Sequence, residues 1–569
     1  MSTSMRISWI SALQIGLITG LLAVLVSLVG MVEEFDHRDI IAGVITMGQT
    51  VLFVIFLLGG YLTASRSAHR PRLLALVSSL LAGFIAAAIT TILVLLVANY
   101  NLRPILANAS PQLVKIMTFD KDPNVGILYL LGIGTLVSAF GGIIYSLPAQ
   151  IRRGILSAMV WVGLLGLLQE LIQVSLNRFE SFSESIAWMF GKGIEKGLST
   201  SGAFFVFLIV AISNYLWSAY GPKVRTQIQR LPPRGQVTLR GLGIGLGLFL
   251  VLYLPILLGL YLSEVINQVG LFILMGLGLN IVVGFAGLLD LGYVAFYAIG
   301  AYTMGVLTSA SGEMVWSFSW AFWPALIFAI VMATFAGIVL GIPVLKMRGD
   351  YLAIVTLGFG EIIRILALSD FLKPYIGGSQ GIVLIPPATV NAFSLGSWAI
   401  NNPQRLYYLI VAGILIALFI ARRLRDSSIG RSWKAMREDE DVAQAMGINL
   451  VVTKLLAFAT GAAFSGVSGA ILASKLGTIY PHSFALLISI NVLSVIIVGG
   501  LGSIPGVFVG SLILVGLPEL LREFSEYRLW IYGALLVVMM QTRPEGFWPE
   551  ATHQRELHEK DPDAIEVVS

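Results

Sequence analysis

Long apolar runs, one after another, constrain this chain more than any other feature. The first, SWISALQIGLITGLLAVLVSLVGM, is followed by many more that reach the ~20 residues a helix needs to cross a ~30 Å hydrocarbon layer. A polytopic, all-α transmembrane bundle is the expected fold. Composition agrees, since only 12% of the 569 residues are charged, against ~25% in soluble domains. Sixty glycines suit a membrane bundle, because small residues let its helices approach closely. The first run is too long for a signal-peptide core and no small-residue cleavage site follows it, so it reads as a retained span.

The same numbers exclude other classes. A net charge of +5 invites a nucleic-acid reading, but no soluble basic domain exists to hold one, and basic cytoplasmic loops explain it better. With no cysteine there is no disulfide, thiolate metal site or catalytic thiol. His37, His69, His482, His553 and His558 are scattered and form no HExxH pair, so no metal site is expected. No Walker A sequence is present. GAAFSGVS at 461–468 lacks the GK[ST] ending, and GLGSIPG has no βαβ context for a dinucleotide. Neither a cofactor nor a catalytic residue is expected.

Sixteen spans are expected. Six lie near 9–31, 41–64, 72–98, 125–147, 154–175 and 199–219. Ten follow near 242–262, 266–286, 288–308, 320–344, 350–369, 406–421, 454–473, 485–499, 504–520 and 529–542. The glycine-broken pieces 288–308 and 485–499 are also compatible with re-entrant segments, which exist where backbone lines a cavity or is buried in protein. Between the two sets runs GPKVRTQIQRLPPRGQVTLR, whose paired prolines cannot continue a helix. The organisation read is a six-span region 1–220, a basic linker 221–240, a ten-span region 241–548 and a polar tail 549–569. Loops holding Arg66/Arg70/Arg72, Arg152/Arg153, Lys223–Arg240, Lys346/Arg348 and Arg422–Arg437 are basic, while the alternate loops are acidic, mixed or short. Positive residues favour the cytoplasm, which puts both termini there.

One segment breaks the apolar pattern. Residues 422–441 carry eleven of the 67 charged side chains. A helix over 432–447 is expected, with Ser432 as N-cap and Gly447 as its stop. Trp433, Met436, Ala443 and Met446 share an apolar face that Glu440 interrupts. Basic residues precede acidic ones, which opposes the helix dipole. A solvated loop is the plain reading, but the apolar face and the unfavourable charge order favour a docked helix that meets a partner.

Other groups stand out inside apolar runs. Glu361 and Arg364 sit at i and i+3 in GDYLAIVTLGFGEIIRI, either as a self-neutralising pair or as part of a pathway, gate or proton relay. Asp290 is read as a cap for the next helix in preference to a pathway group. GFAGLLDLGYVAFYAIGAY (284–302) and GGLGSIPGVFVGSLI (499–513) are paired glycine-rich interruptions of the kind that mark the halves of a transporter. Asn280, Asn491 and the backbone at Gly284, Gly287, Gly499 and Gly502 are candidates for a translocation path, where freed amides meet a carboxylate. Tight glycine packing is the alternative at each.

DVAQAMG at 441–447 resembles the EAAxxxG motif of ABC-importer permeases, with Asp441 in the place of the Glu and Gly447 in that of the Gly. Residues 270–548 resemble the LivM-type permease of branched-chain amino-acid ABC importers. The stretches that carry this are GLGLNIVVGFAGLLDLGYVAFYAIGAY, GIPVLKMRGDYLAIVTLGFGEIIRI, IGRSWKAMREDEDVAQAMGINLVVTKLLAFATGAAFSGVSGA, VGGLGSIPGVFVG and RPEGFW. The resemblance does not extend to the six N-terminal spans, whose role it leaves open. The resemblance implies that the short charged helix enters a cleft of an ATP-hydrolysing subunit. Trp433, Met436, Arg437, Glu438, Asp439, Asp441, Ala443, Met446 and Gly447 would form the coupling surface. It also implies two ATPase subunits, a second permease (LivH-like or a copy of this chain), an extracytoplasmic substrate-binding protein and a bacterial inner membrane. A urea or short-chain amide permease is the rival within the class. An ion-coupled secondary transporter using Glu361 is the rival from another class, and a membrane-embedded enzyme lacks any paired acidic or nucleophilic motif.

The absence of native cysteine makes the orientation testable without background removal. A cysteine at Ser428 is expected to react with an impermeant maleimide only from the cytoplasm, and one at Ser379 only from outside. Labelling of both from one side would overturn the span parity.

Overall fold

In the hydrocarbon layer a chain must satisfy its backbone internally, and nearly every apolar run of this sequence is helical. The computed structural model describes residues 3–66, 72–176, 184–191, 197–229, 232–311, 315, 318–345, 347, 349–392, 396–400, 402–520, 533–534, 536–537, 539, 541 and 545–549. Among these, eleven helices are long and apolar enough to cross a membrane, and Val294–Thr308 and Ile504–Leu520 are shorter apolar helices. The chain divides into two compact units, Met1–Leu250 and Val251–Ser569.

In the first unit α1 (Thr3–Val29), α2 (Met47–Arg66), α3 (Arg72–Asn99) and α4 (Pro123–Ser146) pack on one another, and α5 (Ala149–Leu167) pairs with α6 (Thr200–Gln229). Small residues set the spacing. Ser79 donates its hydroxyl to the Gly60 carbonyl (3.0 Å) and Ser138 to that of Ser79 (2.9 Å), which ties α2, α3 and α4 together. A two-stranded hairpin, Asp39–Ile41 with Ile45–Thr46, follows α1. Arg38 beside it pairs with Glu170 at 2.7 Å and donates to the Leu167 carbonyl at 3.3 Å, at the C-terminal end of α5.

Several boundaries differ from those expected. The run at 154–175 divides into α5 and a short helix, Gln169–Leu176. The basic stretch 221–240 is mostly helical: α6 continues to Gln229 and α7 (Pro233–Leu279) starts at the second proline. Proline suits the first helical position, where its missing N–H has no partner to lose. The expected spans 242–262 and 266–286 fall in one 45-residue apolar stretch, Gly241–Phe285, about twice the length of a crossing, which holds two helices joined across a kink. Gly259 divides it with φ 77° and ψ −169°, a backbone state that needs glycine. More than half of the span expected at 529–542, and nearly all of the tail 549–569, lie outside the described residues.

The second unit is built around α14 (Leu450–Leu476). Packed against it are α8 (Val294–Thr308) and α9 (Phe322–Val344), while α10 (Asp350–Leu368) lies against α8. Then come α11 (Pro403–Asp426), the charged pair α12 (Ser428–Glu438) and α13 (Glu440–Ala445), and α15 (Leu486–Gly499) with α16 (Ile504–Ser511). The most apolar window of α14 is 72% buried, against 28% for α10 and 33% for α9 and α11. Its string GAAFSGVSGA makes this possible, since a central membrane helix must present small residues to several neighbours at once. A Cβ at Gly469 would stand 2.0 Å from the Tyr297 carbonyl oxygen, and one at Gly300 would stand 2.3 Å from that of Gly466.

Gly469→Leu is therefore expected to force α8 and α14 apart and lower the thermal midpoint of the purified protein. Overpacking of a tight core costs roughly 1–3 kcal/mol. Gly132→Leu, on an exposed face of α4 with nothing within 4 Å of its Cβ position, is the matched control and is expected to leave the midpoint unchanged.

Candidate functional site: the charged segment and the glycine breaks

The charged stretch is two helices, not one. Ser427, rather than Ser432, caps α12, its side chain accepting the Gly430 N–H. Ser432 lies inside α12 and donates to the Ser428 carbonyl. Asp439 leaves helical geometry (φ −157°, ψ 116°) and its carboxylate accepts the Asp441 and Val442 N–H groups at the start of α13. This explains the charge order. In one helix it opposes the dipole. In two, Arg437 sits in the last turn of α12, and Glu440 and Asp441 in the first turn of α13, where each sign is favoured. Gly447, at φ 90°, follows α13.

The expected apolar face points mainly inward. Trp433 (0% exposed), Met436 and Ala443 are buried within the chain, and the Trp433 indole N–H donates to the Thr453 carbonyl at 2.9 Å. Glu440, the residue that interrupts the face, pairs with Lys454 at 2.9 Å, and the lysine side chain is 2% exposed. Met446 departs from this face at 79% exposed, and Val442, absent from the expected set, is 59% exposed. Glu438, Asp439, Asp441 and Gly447 are exposed as well. The signal for the Lys454 contact was present in the sequence, as a lone charge opening the apolar run 454–473.

Arg437 turns the other way. Its Nη1 donates to the Gly284 carbonyl at 2.8 Å, and a Cβ at Gly287 would meet its Cγ at 2.8 Å. Gly284 belongs to a π-helical turn, Asn280–Phe285, that ends α7 before the chain breaks and restarts as α8. In that break Asp290 is buried, and its Oδ1 accepts the Gly292 N–H at 2.9 Å. It stabilises the turn and does not cap α8, whose Val294 N–H goes to Ser489 on α15. Thr356 on α10 accepts the Leu291 N–H.

The second break meets the first. Asn280 Oδ1 accepts the Gly502 N–H at 2.9 Å, and Gly284 packs on both groups. Gly499 packs on Gly506 across the second break. The end of the RPEGFW motif covers it: the Phe547 and Trp548 amides donate to the Val498 and Gly499 carbonyls at 2.8 and 2.9 Å. The structure thus brings Asn280, Gly284, Gly287 and Gly502 together with Arg437, and places the breaks at the charged end of the bundle. Asn491 is part-buried on α15.

Glu361 and Arg364 form the expected i, i+3 pair, with Arg364 Nε at 3.1 and 3.0 Å from the two carboxylate oxygens and Nη2 adding a third contact. They are not sealed in: the side chains are 42% and 27% exposed. Glu361 follows Gly360, which packs on Gly292 in the first break. An apolar cavity of about 570 Å³ opens beside this helix, lined among others by Tyr302, Phe328, Ile363 and Leu366. Its described lining is apolar apart from the Tyr302 and Thr303 hydroxyls. No group of three or more metal-binding side chains occurs among the described residues.

Broken helices joined at one end, beside an anchored amphipathic segment, define a polytopic membrane transport subunit. A family model described as branched-chain amino acid transport system / permease component matches residues 261–540. The high-affinity branched-chain amino acid transport system permease protein LivM of Escherichia coli is 40% identical over 305 residues, covering 50% of this chain and 70% of that protein. LivM of Salmonella typhimurium is 39% identical over 312 residues, covering 52% and 71%. LivH of Salmonella typhimurium is 27% identical over 300 residues, covering 50% and 94%. No solved structure matches the chain. The chain belongs to the branched-chain amino acid transport permease family, and residues 1–260 lie outside the family match.

The ion pair of the charged segment gives a direct test. Glu440→Gln strands Lys454, and removing one partner of a buried pair costs about 3–5 kcal/mol. A clear fall in thermal midpoint is expected. Glu438→Gln, on the exposed rim, is expected to change stability by about 0–1 kcal/mol. Equal effects from the two would remove the anchoring role of the pair.

Proposed function

We propose that this chain is the permease subunit of an ABC importer that carries branched-chain amino acids into a bacterial cell across its inner membrane. Energy comes from two separate ATPase subunits. A second permease, LivH-like or another copy, completes the path, and an extracytoplasmic binding protein delivers the substrate. The observation that carries the reading is the helix break at Asp439. It lets Trp433, Met436 and Glu440 anchor the segment on its own subunit while Val442 and Met446 stand exposed beside Glu438, Asp441 and Gly447. That is the form of a docking surface, a few apolar anchors within a charged rim, and it faces the cytoplasm by the placement of basic loops.

The pair Glu361–Arg364 supports a place for the path. A part-exposed ion pair within an apolar span is costly against lipid and belongs at a protein or water-filled face. We assign that face to the path shared with the second permease. Asn280, Gly284, Gly287, Asn491, Gly499 and Gly502 belong to the inner end of this path. Met1–Leu250 is a compact unit of its own.

Val442→Asp with Met446→Asp tests the reading. The double variant is expected to insert and fold, because both side chains are exposed. Its co-purification with the ATPase subunits is expected to fall by more than about tenfold, as for loss of a dominant interface anchor. ATP-driven uptake of leucine, isoleucine and valine into vesicles with ATP inside is expected to disappear with it. Retention of both would show that Val442 and Met446 do not form a docking surface. Uptake by the wild-type chain on an ion gradient without ATP would favour the secondary-transporter alternative.

A further inference from the structure

Most of the charged segment is accounted for by an outer docking surface and an inner anchor, but Arg437 belongs to neither. It is on the last turn of α12, and its guanidinium reaches the backbone of the first break instead of solvent or the Glu440–Lys454 pair. Its Nη1 donates to Gly284 at 2.8 Å. Its aliphatic stem fills the space where Gly287, at φ 73°, carries no side chain, with Cγ and Cβ 2.8 and 3.1 Å from the missing Cβ. The accepting carbonyl sits in a π-helical turn, where the regular i to i−4 ladder is interrupted, so a donor from outside the helix is well placed to serve it. The same turn holds the second break through the Asn280–Gly502 bond.

We propose that Arg437 is a positioning residue that fastens the charged segment to both glycine breaks, so that the segment and the two breaks move as one body. Asn280 carries the link from the first break to the second. The inference rests on the import reading above and adds to it a route from the ATPase-facing surface into the path. The route consists of a charge-assisted hydrogen bond to a backbone carbonyl and one side-chain amide bond. Displacement of α12 then shifts the ends of α7 and α15 together, which a merely packed contact would not enforce.

The test uses the full complex of this chain with its ATPase subunits and second permease in liposomes. Arg437→Met keeps the stem against Gly287 and removes the donor, and Arg437→Lys keeps a donor. Arg437→Met is expected to retain ATPase binding and ATP hydrolysis while amino acid transported per ATP falls at least about fivefold, the lower end of typical coupling between linked sites. Arg437→Lys is expected to recover most of that ratio. An unchanged ratio in Arg437→Met would overturn the proposal, as would loss of the ATPase from the complex, which would place Arg437 in the docking surface. A wild-type complex without ATP-driven uptake would instead sink the import reading. A second measurement replaces the hydrogen bond with a covalent tie. Arg437→Cys with Gly287→Cys, in a chain without native cysteine, sets two Cβ positions 3.1 Å apart, which a small shift brings to the ~3.5–4.5 Å of a disulfide. The reduced pair is expected to transport less amino acid per ATP, and oxidation is expected to restore the ratio. A complex that still hydrolyses ATP but transports less once cross-linked would show that the contact opens during the cycle, against the proposal.

Discussion

Every backbone N–H and carbonyl in a hydrocarbon layer must find a partner in the protein, and several departures from a straight helix among the described residues are met by one. Pro255 cannot donate to the carbonyl four residues back, and the Tyr407 hydroxyl donates to that carbonyl, Val251, at 2.8 Å. Tyr408 and Gln404 serve the Leu252 and Pro255 carbonyls beside it. The two glycine breaks are treated in the same way. Ser489, Thr356 and Asn280 supply acceptors, Arg437 supplies a donor, and the amides of Phe547 and Trp548 complete the second break. Breaks of this kind are tolerated where they are buried in protein, so they define where the second unit is able to bend without exposing polar backbone.

The helix that holds this arrangement is α14. It packs through glycine and alanine because lipid removes the hydrophobic drive between membrane helices and leaves close van der Waals contact. Its two lysines mark the ends of its buried length. Lys454 pairs with Glu440, and Lys475 pairs with Glu264 at 2.8 Å. Twenty-one residues of helix separate them, about 31 Å at 1.5 Å per residue, close to the ~30 Å of the hydrocarbon core. The charges therefore anchor the helix at both interfaces while its middle stays apolar.

The charged segment uses its residues on three sides. Trp433 and Glu440 attach it to α14, Arg437 to the first break, and Val442 and Met446 remain outside. This division depends on Asp439, whose extended backbone and capping carboxylate rotate α13 relative to α12. A continuous helix would have kept all the apolar residues on one stripe, leaving a choice between anchoring the segment and docking a partner.

The apolar runs alone determined that the chain is a helical membrane bundle, because no other structure satisfies so much apolar backbone. They also located most of its helices. The i, i+3 spacing determined the Glu361–Arg364 pair, since both groups lie on one helix and no distant contact decides whether they meet. The small-residue motifs, in their order, were enough to recognise the permease family. What sequence left open is decided by contacts between residues far apart in the chain. Periodicity carried Trp433–Gly447 as one stripe, and only the packing of Trp433 on Thr453 and of Glu440 on Lys454 turned that stripe inward. Asn280 and Gly502 stand 222 residues apart, and Arg437 and Gly284 stand 153 apart. No local pattern encodes such bonds, because the partner of a freed backbone group is fixed by which helix end folds against it.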